Sequence, residues 1–101
     1  MFDCGSAICE KLARVNGLTY GPDQIVVSQG GIQGLSCVFT ALLEPGDEVL
    51  IPDPGFASYG VLVPLHAAVP VRYPLHAQAG FIPDPDEIAR LITPRTKLMV
   101  L

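Results

Sequence analysis

Apolar positions in this chain fall into two kinds of stretch that alternate along its length: helix-period stripes and short β-branched runs. Residues 6–16 set Ile8, Leu12 and Val15 on one side and Glu10, Lys11 and Arg14 on the others, a surface helix closed by Asn16-Gly17. Met1 to Gly5 offers that helix neither a strong cap nor a preceding strand. Tyr20-Gly21-Pro22-Asp23 turns the chain into a strand at 25–28 built on Ile25, Val26 and Val27. Ser28-Gln29-Gly30-Gly31 breaks it, and Ile32, Leu35, Val38, Phe39, Leu42 and Leu43 then repeat at helical spacing. Glu44-Pro45-Gly46-Asp47 is a second turn, Glu48–Asp53 a second strand, and Asp53-Pro54-Gly55 its stop. Phe56–Ala67 reads as a helix that Pro64 ends or kinks. Ala68–Leu75 is a third strand whose prolines suit a sheet edge. After a polar loop with Gly80, Asp84 as N-cap, Pro85 at N1 and Glu87 at N3 start a helix with a capping box. That helix stops by Thr93-Pro94, and Lys97–Leu101 is a fourth strand.

Helix and strand alternate throughout, which predicts an α/β fold with a mostly parallel sheet flanked by helices. There is no internal repeat. The 101 residues suffice for one small domain, and half of them are apolar, so the chain is no disordered tail. Six basic residues and a net charge of −4 cannot build the basic face that nucleic acid requires. No apolar run reaches the roughly 20 residues that cross a bilayer. Cys4, Cys9 and Cys37 form no CxxC pair, are odd in number and read as small buried hydrophobes. With no signal peptide visible, the expected setting is reducing and cytoplasmic.

The chemistry concentrates at residues 24–35. A strand that ends in Gly30-Gly31 and opens into a helix points unpaired amide N–H groups and the positive end of the helix dipole outward. That is an anion site, with phosphate its usual occupant; the alternative is an ordinary strand-to-helix turn. If the strands at 25–28 and 48–53 are parallel, Phe56 reaches whatever planar group the anion carries, or else it is a core aromatic.

The succession SQGGIQGL, LLEPGDEVLIPDPGFASY, VPV, GF and ITPRTK resembles the large domain of fold-type I, pyridoxal-phosphate-dependent aminotransferases of class I/II, from about Ala7 to Leu101. The resemblance implies a three-layer α/β/α domain of which residues 1–101 are a fragment, and pyridoxal 5′-phosphate as cofactor. It implies that Gly30, Gly31 and Ile32 hold the cofactor phosphate and that Phe56 stacks on the pyridine ring. Gln33 follows the loop without an assigned role, and Tyr59 is structural. Full-length relatives move an amino group between an amino acid and a 2-oxo acid and are usually homodimers. Their cofactor-bonding lysine, pyridinium acid and substrate-binding arginine lie downstream of the residues present. Lys11 and Lys97 do not match that lysine's context and read as surface charge, so no catalytic residue is assigned and no turnover is expected. His66 and His76 lack metal-ligand spacing, so no metal is assigned. Ala67-Ala68 stands where the family often has glycine.

In the family's larger sheet the strands at 25–28, 49–53 and 97–101 would not be mutual neighbours, and only 49–53 and 69–74 would pair. The chain alone would then expose apolar edges and be unstable, aggregate or reorder its strands. The alternatives are a Rossmann-type nucleotide module, for which the G-x-G-x-x-G spacing is missing, and a non-catalytic truncated remnant.

Overall fold

A computed structural model describes residues 3–101 of the chain, which divides into two units, the residues through Gly34 and Leu35–Leu101. In the first unit, helix α1 (Cys4–Lys11) is followed by a π-helical turn, Leu12–Asn16, and by Gly17 in the left-handed region at φ +67°. The helical stretch is the expected one, but it has a cap: the Asp3 carboxylate accepts from the Gly5 amide at 3.1 Å and from the Ser6 hydroxyl at 2.9 Å. A short 3-10 turn, Pro22–Gln24, is tied by the Gln24 side chain, which accepts from the Gly21 amide.

The strand expected at 25–28 is not formed. Ile25–Ser28 is irregular, with Val26 86% and Val27 60% exposed. β-branched residues favour extended backbone, yet a strand exists only when its N–H and C=O groups meet a ladder partner. Among the described residues, the three paired strands all lie further along the chain.

The second unit is built on a parallel sheet in the order β2-β1-β3: β1 is Glu48–Asp53, β2 Val69–Pro74 and β3 Thr96–Met99. The central strand therefore pairs with both others. This overturns the expectation that 97–101 would not adjoin 49–53. The outer side of β2 carries Pro70 and Pro74, which have no amide to pair, so the chain crosses back and the next strand takes the free side of β1 instead.

Helix α2 (Gly31–Leu42) starts at the end of the first unit and continues into the second. Its Leu35 and Phe39, with Val63 of α3 (Ala57–Leu65), pack on Val49 and Ile51 of β1. The opposite pleat of the sheet carries Glu48, Leu50 and Pro52, with Tyr73 opposite Pro52. The connection from β1 to β2 and the return from β2 to β3 run in opposite directions. Right-handed crossovers therefore put α3 and α4 (Pro85–Leu91) on opposite faces, giving three layers.

The prolines of the edge strand β2, and Pro64 of the helix before it, sit where each is tolerated. Val69 donates to Asp47 O and Leu75 to Asp53 O, so the odd-numbered residues of β2 bond β1 while Pro70 and Pro74 face outward from an edge strand, as expected. Pro64 sits in the last turn of α3, which ends one residue later; Ala67 then takes φ +57°. The α4 cap is as expected in Asp84 and Pro85, with the Asp84 carboxylate accepting from the Asp86 amide at 2.8 Å. Glu87 does not complete a capping box. It turns to His76, whose Nε2 lies 3.2 and 3.0 Å from its two oxygens.

The cysteines are not core residues either: Cys4 and Cys37 are exposed and Cys9 is half-buried. Cys37 falls off the Leu35–Phe39 stripe that α2 buries, and helical period outranks side-chain type. Among the described residues no helix is long and apolar enough to cross a membrane.

Candidate functional site

Gly30 is the corner of the first unit. Its φ of +91° is a conformation L side chains rarely adopt, and the positions a Cβ would take at Gly30 and at Gly31 have no neighbouring atoms. The first intrahelical bond of α2 runs from Gly34 N–H to Gly30 O at 3.2 Å. The amides of Gly31, Ile32 and Gln33 precede it, so the helix holds no carbonyl for them. The corner is braced from behind, because the Ser28 hydroxyl donates to Gly30 O at 3.0 Å and the Gln29 amide donates to the Gln33 side-chain oxygen. Gln33 is thus a brace of the loop, a role the sequence did not assign. Its signal was present in the Gln three residues into a helix, as in a capping box. Gly34 has a separate reason to be glycine, since a Cβ there would stand 3.1 Å from Ser28 Oγ.

The expected glycine turn at a helix start is therefore present, without the strand before it. Ile32 is half exposed, its side chain turned out while its amide belongs to the open first turn.

In the second unit, Phe56 immediately precedes α3 at the carboxyl end of β1, with φ −66° and ψ 121°. Its carbonyl accepts from Tyr59 N–H at 3.1 Å, and the Tyr59 ring meets it edge-on with centroids 5.6 Å apart. Phe56 is 54% exposed, so it is not the core aromatic that its position alone allowed, whereas Tyr59 packs against the core. Gly30, Gly31 and Ile32 belong to one unit and Phe56 to the other.

The other polar side chains serve the fold. Lys11 is exposed and donates to Asn16 Oδ1 at 2.7 Å, and Lys97 is exposed at the second residue of β3. His66 Nε2 lies 3.2 Å from Ser36 Oγ, its ring edge-on to Phe39. Glu48, 5% exposed, accepts from the Thr93 hydroxyl at 2.6 Å and from Arg95 Nε and a terminal guanidinium nitrogen at 3.1 and 2.8 Å. The Thr93 hydroxyl foremost, then Arg95, holds the Glu48 carboxyl below the usual carboxylate range.

Comparison with known proteins gives a consistent result. The family described as "Aminotransferase class I and II" matches residues 3–101. A probable aspartate/prephenate aminotransferase of Thermus aquaticus is 44% identical over 95 residues, covering 94% of this chain and 25% of the relative. An aspartate aminotransferase of Pyrococcus horikoshii is 36% identical over 95 residues, covering 94% of this chain and 24% of the relative. Among solved structures, the aspartate aminotransferase from Thermus thermophilus with maleate superposes with a TM-score of 0.92 at 41% identity, over 96% of this chain and 25% of that one. The chain thus spans about a quarter of the length of the curated relatives it matches.

Proposed function

Because this chain belongs to the aminotransferase class I and II family, we propose that it carries the phosphate-binding corner of a pyridoxal 5′-phosphate site. The amides of Gly31 and Ile32, at the corner formed by Gly30, would receive the phosphate; within its own unit, Phe56 is the exposed aromatic that the family likeness assigns to the pyridine ring. The enzyme in which this corner works moves an amino group between an amino acid and a 2-oxo acid. The bound cofactor supplies the electron sink for that chemistry.

The observation that carries the reading is the open Gly30-Gly31 corner. Its donors are neutral amides at the positive end of a helix of twelve residues, α2, and the space a Cβ would fill is empty at both glycines. A phosphate ester suits such a set, since it brings charge and several acceptor oxygens to amides that have no other acceptor among the described residues. In its own unit Phe56 has the character that stacking on a planar ring needs: it is large, aromatic and more than half exposed, with Tyr59 edge-on to it from the core side. The chain's own share is thus binding and orientation. No residue in it is assigned the proton transfers of the reaction.

The test uses 4-deoxypyridoxine 5′-phosphate, which has no aldehyde and cannot couple to a surface lysine, beside the same compound without phosphate. Calorimetric titration of the full chain should show the phosphorylated ligand binding at least tenfold more tightly, about 1.4 kcal/mol. Gly31→Asp should abolish the difference by placing a carboxylate in the open space. Aspartate at N1 suits the helix dipole, so the variant keeps its helix and a lost preference reports the site. Equal affinity for the two ligands, or no effect of Gly31→Asp, would end the proposal.

A further inference from the structure

The parallel ladder on β1 has a place where one hydrogen is missing. Bonds from odd-numbered residues of β1 go to β2, as Leu75 N–H to Asp53 O shows, and those from even-numbered residues go to β3, as Val100 N–H to Leu50 O shows, both at 2.8 Å. Pairing of Leu50 with Met99 puts Val100 opposite Ile51. A residue so placed in a parallel ladder donates to the residue before its partner and accepts from the residue after it. Val100 O should therefore accept from the amide of residue 52. That residue is Pro52, which has no N–H. The hydroxyl of Tyr73 donates to Val100 O instead, at 2.7 Å, from the far side of β1.

We propose that Tyr73 is a positioning residue that takes over the ladder bond Pro52 cannot make and so holds the carboxyl end of β3 in register against β1. The geometry accounts for three facts together. Tyr73 lies opposite Pro52 in β2, where its ring shares the pleat face of the proline. It is 1% exposed, and a tyrosine so buried needs a partner for its hydroxyl. Regular pairing of β3 stops at Met99, one residue before the carbonyl that Tyr73 serves.

Burial pushes the pKa of the Tyr73 hydroxyl up, which keeps its proton available for donation. The functional sense lies in the place. The carboxyl edge is where open α/β sheets bind ligands, and it is also where β1 runs into Phe56. The bond belongs to the sheet itself and does not depend on which ligand the chain binds.

A double-mutant cycle tests it. Tyr73→Phe keeps the ring and removes the donor, and in the parent chain it should lower the folding equilibrium constant about tenfold, measured by urea denaturation. Pro52→Val restores an amide at residue 52. In that background Tyr73→Phe should cost less than about twofold, because Val100 O then has its ladder donor. Amide hydrogen exchange supplies a readout that a packing role would not move: the backbone amide that Pro52→Val introduces should be protected in the double variant. If Tyr73→Phe alone does not fold, the double variant should. An equal cost in both backgrounds, fast exchange of the introduced amide, or failure of both variants to fold would overturn the proposal.

Discussion

Glu48 holds two stretches of chain together with one carboxylate. It starts the central strand, and its oxygens meet Thr93 and Arg95 at the turn that leads into β3. Arg95 is largely exposed and Glu48 is not, so the hydroxyl and the guanidinium stand where water would otherwise solvate a buried charge. Both lower the pKa of Glu48, and the sign of the resulting pH dependence follows. A carboxyl whose folded pKa is depressed binds its proton more weakly when folded. Its contribution is therefore present above its ordinary value of 4.5 and is lost as pH falls through the lower folded value. Urea midpoints measured from neutral pH downward should fall through that range. Glu48→Gln should be less stable at neutral pH and show a shallower acid limb than the parent, and an unchanged acid limb would mean that Glu48 is not the group responsible.

Among the elements, the junction between α3 and β2 shows what a side chain does in the wrong backbone region. Ala67 follows the helix cap at φ +57°, the left-handed conformation that glycine occupies without penalty. Ala67→Gly should therefore stabilise the chain by about 1 kcal/mol, the steric cost of the left-handed region less the added entropy of the unfolded state. A urea midpoint that fails to rise would refute this. The sequence made this position visible, because alanine stands where the resemblance leads one to expect glycine. It also made β1, β2, α2 and the Asp84-Pro85 helix start visible, since each is written in local terms: a period, a cap or a proline. What it concealed was relational. Ile25–Val27 has the composition of a strand whether or not a neighbour offers a ladder, so the run could not reveal that it stays irregular. The adjacency of β3 to β1 depends on crossover geometry, and the partners of Glu87 and Tyr73 lie 11 and 27 residues away. At the candidate site, the Gly30-Gly31 corner and Phe56 were legible as residue types at turns. The brace from Gln33 was not, because a glutamine near a helix start has many possible partners.

At the scale of the whole sheet, the two outer edges are unlike. On β2 the outward positions include Pro70 and Pro74, which have no amide to offer another strand, and the edge is blunted. On β3 the ladder bonds to β1 use Leu98 and Val100, so the amides of Lys97 and Met99 point away from the sheet. Among the described residues that outer edge keeps its donors, and Met99 on it is an exposed apolar residue. An edge of this kind pairs with any available strand, and in a solution of this chain alone the available strand is another copy. The sedimentation coefficient of the chain should accordingly rise with concentration. Met99→Pro discriminates this edge from general stickiness: it deletes an outward amide and leaves the bonds to β1 intact, so the concentration dependence should vanish while the fold remains. Leu98→Pro, one residue earlier, removes a ladder donor and should cost about 3 kcal/mol or more. Association that persists in Met99→Pro would point instead to exposed side chains such as Val26 and Ile82, which are 86% and 70% exposed, and a parent chain that stays monomeric at all concentrations would remove the edge from consideration altogether.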